Sequence, residues 1–193
     1  MLSELKRGVL FTVATMLLFG GAYHALMWGI ASIVFPHQAG GSLIQRADGT
    51  VVGSSLIAQK TTRPEYFQPR PSAVDYNASS TGGSNHGPSA PDHLTTVRER
   101  LDALVTQESV AAAPVPSEMV TASGAGLDPH IPPSAAEIQV GRVARARAVN
   151  PERVREFVVA NTQAPVLGVL GRARVNVLEL NLALDKQLGR VHH

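Results

Sequence analysis

The sequence predicts one N-terminal transmembrane α-helix followed by a single soluble α/β (α+β) domain. Three observations predict it. Gly8 to Val34 runs for 27 residues without an Asp, Glu, Lys or Arg. The remainder mixes helix-period and strand-period segments separated by Pro- and Gly-rich stretches. Cysteine is absent, so the domain must hold together by packing alone, without disulfides, thiolate nucleophiles or Cys-based zinc sites.

At about 1.5 Å per residue the apolar run is roughly 40 Å long, enough to cross a hydrocarbon core of about 30 Å with tilt. A cleaved signal peptide is the competing reading, since Lys6 and Arg7 precede the run. Its apolar core would be about 7 to 15 residues and end at small residues, whereas this one continues through Met27, Trp28, Ile30 and Ile33. A retained anchor is therefore expected over 8–35. Lys6 and Arg7 flank it on one side and the first basic residue on the other is Arg46. Basic residues stay inside, so 1–7 is expected in the cytoplasm and 36–193 in the periplasm, with the chain single-pass in the inner membrane.

Within the span, Gly20, Gly21, Ala22 and Ala25 form a small-residue face that another helix could approach closely. His24 is a polar group at membrane depth. Such groups face a partner helix or a cavity, or lie near an interface, and both readings stay open.

Setting aside Lys6, Arg7 and Glu4, 15 basic and 14 acidic residues follow the apolar run. That balance, with no basic stripe and interleaved aromatics, argues against nucleic-acid binding. The roughly 155 residues suffice for one ordinary core.

Ser42 to Arg46 and Thr50 to Gly53 read as a hairpin around Ala47-Asp48-Gly49, because Asp-Gly tolerates the positive φ of a tight turn. Ser55 to Gln59 would extend that sheet. From about 60 to 91 the pattern breaks into Pro, Gly, Ser, Asn and Thr, a polar loop long enough to be either mobile or functional. A helix follows from Pro91 or Asp92 to about Glu108, with Leu94, Val97, Leu101, Leu104 and Val105 on one face. Ser109 to Pro116 reads as a linker and Glu118 to Ala122 as a strand. Ser134 and Glu137 form a capping-box pattern for a helix from Ala135 to about Ala148. Asn150-Pro151 starts another, with Asn as N-cap and Pro at the first helical position. Val175 to Leu188 fits both periods: Leu178, Leu180, Leu182 and Leu184 alternate, while Val177, Leu180, Leu184 and Leu188 share a helical face. Asn176 with Glu179 resembles a cap, which favours the helix.

The sequence contains no phosphate loop, dinucleotide fingerprint, HExxH or GxSxG. Gly82-Gly83-Ser84-Asn85 could align amides toward an anion, but without a following Lys a plain turn is the better reading. The histidines at 24, 37, 86, 93, 130, 192 and 193 make no i, i+4 pair on an expected helix, so no metal site is expected. In Val120 to His130, Thr121, Ser123 and Asp128 are candidates for binding a cation or a partner's backbone, against a Gly-rich turn leaving a strand.

Several segments together resemble the C subunit of the bacterial Kdp potassium-transporting ATPase, the KdpC family. They are GSLI (Gly41 to Ile44), VGSSLIAQ (Val52 to Gln59), YFQPRPSA (Tyr66 to Ala73), GGSNHGPS (Gly82 to Ser89), VTASGAGLDPHI (Val120 to Ile131), QVGRVARAR (Gln139 to Arg147) and VNVLELNLALD (Val175 to Asp185). The sequence departs from the family where Tyr23-His24 replaces the usual Tyr-Pro, removing a potential kink, and where no aromatic follows Gln59.

The resemblance implies a non-catalytic accessory subunit of a potassium-uptake complex. Its partners would be a channel-like potassium-selective subunit, a P-type ATPase subunit and a further small membrane subunit. It also implies a catalytic chaperone that raises the ATPase subunit's affinity for ATP. No cofactor is expected on this chain, and ATP is expected only through the ATPase subunit. The chain has no DKTGT-like motif, and Asp128 and Asp185 do not stand in for the phosphorylated Asp. With the domain outside, any effect on ATP would pass through the membrane helices. The candidate partner contacts are Gly20, Gly21, His24, Gln59, Arg70, Ser84, Asn85, Thr121, Ser123 and Asp128.

Overall fold

The computed structural model describes residues 1–46, 49–112 and 115–191. Two compact units are resolved, Met1–Val52 and Gly53–His193.

In the first unit, α1 (Leu2–Thr15), a π-helical stretch (Met16–Ala22) and α2 (Tyr23–Val34) run on as one helix. Its 33 residues make it roughly 50 Å long, and its apolar side chains, Leu10, Phe11, Leu17 and Trp28 among them, are exposed. It begins well before Gly8 because Glu4 and Arg7 pair across one turn at 3.0 Å, so the charged residues extend the helix instead of ending it. Pro36 starts a four-residue helix, α3 (Pro36–Ala39), which the sequence reading did not anticipate. β1 (Leu43–Gln45) and β2 (Val51–Ser54) pair as the expected hairpin. Gly49 carries the positive φ of 81°, while Ala47 and Asp48 of the turn lie outside the described residues.

The second unit is built on α5 (Pro133–Arg147), packed against α6 (Pro151–Ala160) and α4 (Pro91–Glu108). α7 (Val177–Leu188) packs on α6. A small antiparallel sheet, in the order β3 (His130–Ile131), β5 (Arg174–Asn176), β4 (Thr162–Gln163), pairs Ile131 and Thr162 with Val175 on its two sides. Val140, Val143, Val154, Val175, Leu180, Leu184 and Phe67 close the core. Asn150 caps α6 by accepting from Glu152 N, with Pro151 next, as its sequence predicts.

Three expectations are corrected. Ser55 to Gln59 is a turn, not a third strand, and Ser54 Oγ accepts from Leu56 N at 3.1 Å. Glu118 to Ala122 is not a strand: Ser117–Met119 forms a 3₁₀ turn. Thr121 holds it by donating both its amide and its hydroxyl to Ser117 O. α5 starts at Pro133, whose fixed φ suits a first helical position, so Ser134 lies inside the helix and makes no cap. Glu137 instead pairs with Arg155 at 2.5 Å. In the ambiguous C-terminal segment the favoured helix is present: Asn176 ends β5, and its side chain accepts from Glu179 N at 3.2 Å to open α7.

Candidate functional site

The expected long loop is irregular, but its first half is part of the core. Glu65, Phe67 and Pro69 are buried, and the backbone from Pro64 to Gln68 is held by side chains from α5 and α7. Gln139 accepts from Gln68 N at 2.7 Å and donates to Gln68 O at 3.1 Å. Asn181 does the same for Phe67, at 2.8 and 2.9 Å. Buried peptide groups need such partners, and here a carboxamide serves each residue as a neighbouring strand would.

Two arginines extend the clamp. Arg142 donates to Pro64 O, Tyr66 O and Gln139 Oε1, and its Nε pairs with Glu108 at 2.8 Å. Burial pushes the Glu108 carboxyl above its ordinary range, against the hydrogen bond and charge of Arg142, which pull it down. Arg147 donates to Glu65 O, Gly189 O and Asp185, and its guanidinium lies 5.1 Å from the Tyr66 ring centroid. Tyr66 donates to Asp185 at 2.8 Å. Burial first, then that bond and the charge of Asp185, raise its hydroxyl pKa.

Where this segment leaves the clamp, Arg70 reaches Asp128 at 3.2 Å. Asp128 also accepts from His130 N at 3.0 Å. Ser123 N donates to Pro71 O, and Tyr76 donates its hydroxyl to Arg70 O. The two chain segments touch through glycine: a Cβ on Gly83 would fall 2.9 Å from Gly124 O, and one on Gly126 would fall 2.5 Å from Val74. Gly126 also has a φ of 70°, so it is barred to larger residues twice over. Burial, then the charge of Arg174, lowers the His130 pKa, although Asp128 acts in the opposite sense.

Of the residues singled out from sequence, Arg70, Ser123 and Asp128 therefore come together in one corner. Ser84 and Asn85 follow Gly83 directly and are exposed, Asn85 with a φ of 55°. Thr121 is bound to Ser117 O and does not join the corner. Gln59 follows Ala58, whose amide donates to Leu127 O. Its carboxamide also lies against Gly53, where a Cβ would fall 1.9 Å from Nε2.

In the membrane helix, Gly20 and Gly21 present open surface. His24 Nδ1 lies 2.7 Å from Phe19 O, a spacing of five residues that bridges the π-helical stretch. The clamp residues Gln139, Arg142, Arg147 and Asn181 were missed as functional positions. The available signal was polar side chains recurring on the buried faces of two helices. Among the described residues no three metal-ligating side chains converge.

One unit is a helix long and apolar enough to cross a membrane and the other a small α+β domain whose buried polar groups hold its own backbone, which defines the class of a protein with a single N-terminal membrane helix and one small domain. The family model described as K+-transporting ATPase, c chain, matches residues 5–186. Potassium-transporting ATPase KdpC subunits are similar over nearly the whole chain. The protein of Polaromonas naphthalenivorans is 54% identical, over 92% of this chain and 91% of its own. That of Sorangium cellulosum is 50% identical over 96% and 98%, and that of Geobacter sulfurreducens 48% over 95% and 98%. The chain belongs to the KdpC family, as a non-catalytic subunit of the Kdp ATPase complex anchored by one N-terminal helix.

Proposed function

We propose that this subunit joins a channel-like potassium-selective subunit to a P-type ATPase subunit, with a further small membrane subunit alongside, and that it is needed for assembly and activity. The observation that carries this reading is the corner at Arg70, Ser123 and Asp128. The clamp behind it is rigid, since every backbone group from Phe67 to Gln68 is paired through buried carboxamides. The Arg70 side chain stays partly accessible, at 22%. A rigid backing with an accessible charged pair suits orienting contact with another chain.

Lys6 and Arg7 support an N-terminus in the cytoplasm and a domain on the outer face. In that orientation the subunit acts as a catalytic chaperone only indirectly, by raising ATP affinity through coupling between distant sites. The corner favours a second reading, in which the domain stabilises or gates the outer mouth of the channel subunit with no nucleotide contact. Gly20, Gly21 and His24 are the proposed helix-docking positions.

The experiment is co-purification with the charge swap Arg70→Asp/Asp128→Arg beside each single reversal. Loss of partner subunits in the single variants with recovery in the swap supports the corner as a contact-forming unit. Full recovery of partners in every variant counts against it. Protease digestion of spheroplasts settles orientation, since a protected domain reverses it.

A further inference from the structure

Between β4 and β5 the chain turns back on itself at Val166–Val169, and Val166 and Leu170 pair across the turn with both amides bonded at 2.9 Å. The side chains at this tip are aliphatic and face outward: Val166, Leu167, Val169 and Leu170 are 57 to 86% exposed. Leu167 also has a φ of 53° and Gly168 one of 75°. Two consecutive positive φ values are the geometry of a tight hairpin turn in which Asn or Gly is the unstrained choice. A leucine in the left-handed region is strained by the contact of its Cβ with the backbone, and burial offsets none of that strain at this position. The fold therefore gains nothing from an apolar residue there. Strain combined with exposed apolar surface marks a functional site.

Charge identifies what covers the tip. Arg172 and Arg174 follow it directly and are exposed, and from Phe157 to Leu178 there is no Asp or Glu. An apolar wedge with cations at its base matches a bilayer of anionic lipids, where aliphatic side chains enter the boundary of the acyl chains and arginines meet phosphate. The chain's own membrane helix keeps that surface at high effective concentration, so even a weak contact is populated.

We propose that the Val166–Leu170 tip inserts into the surface of an anionic lipid bilayer, making a second, peripheral membrane contact for this subunit. Because the chain has no cysteine, Leu167→Cys gives a single site for a spin label. The full chain would be reconstituted into vesicles of phosphatidylglycerol and phosphatidylethanolamine, with Thr106→Cys on exposed α4 as the aqueous control. The expected result is several-fold lower collision with a water-soluble nickel chelate than the control, and higher collision with oxygen. The double variant Arg172→Gln/Arg174→Gln should return the label toward the control. Equal nickel access at the two positions overturns the proposal. So does protection that appears only when the other Kdp subunits are added, which would show that a protein covers the tip.

Discussion

Asn181 grips both backbone polar groups of Phe67, accepting from its N–H at 2.8 Å and donating to its C=O at 2.9 Å, across 114 residues of sequence. The pair fastens an irregular segment into the core beside α7. Asn181→Ala leaves both buried groups unpaired, at about 1–3 kcal/mol each, so thermal unfolding of the full chain in detergent should shift down by several degrees. Asn181→Leu restores volume but not the bonds and should fare no better. A melt unchanged by either substitution would show that the bonds do not hold the segment.

Arg142 binds two carbonyls, Gln139 and Glu108 from a buried position. Removing one partner of a buried pair costs about 3–5 kcal/mol, because the other charge remains uncompensated. Arg142→Ala should therefore destabilise more than Arg153→Ala, which breaks an exposed pair with Glu156 worth about 0–1 kcal/mol. Denaturant titration of the two variants checks the order. Equal losses would place the Arg142 network outside the stabilising set.

His130 supplies a pH dependence with a definite sign. Its pKa is lowered from 6.5, first by burial and then by Arg174, so the folded chain binds fewer protons than the unfolded one between the two values. Neutral His130 contributes stability fully above the ordinary histidine range, and that contribution is lost as pH falls below about 6.5. The melting temperature of the native chain should therefore drop more steeply on acidification than that of His130→Gln. Parallel curves would remove His130 as the cause.

The helices were legible because their starts are written locally. Pro91, Asn150-Pro151 and Asn176 with Glu179 act within one turn, and all three appear at the predicted ends. The clamp was not legible. Gln139 meets Gln68 at a separation of 71 residues, and no local period signals a contact of that range. Strands of two or three residues, such as β3 and β4, are too short to show alternation. Arg70 and Asp128 were picked from composition and resemblance, and the structure adds why they meet: Gly83 and Gly126 let the two segments approach. The Ser134 capping pattern misled because Pro133 had already fixed the helix start.

His24 gives the last test, in the membrane helix. Its Nδ1 sits 2.7 Å from Phe19 O beside the π-helical stretch Met16–Ala22, a five-residue reach that matches the i to i+5 spacing of a π-helical turn. Backbone polar groups at membrane depth gain from every partner the protein supplies, so the imidazole favours the π-helical register over the regular α-helix. His24→Leu removes that donor and should let the stretch relax to α-helical pairing, turning every following residue by about 100°. Such a rotation would move Met27, Trp28 and Ala31 relative to Gly20 and Gly21, while leaving insertion intact, since leucine is more apolar. Membrane insertion should therefore be unchanged and recovery of the other Kdp subunits reduced. A helix-facing probe such as the Trp28 emission maximum should shift as well. Unchanged emission together with full recovery of partners would show that the π-helical register neither depends on His24 nor matters for docking.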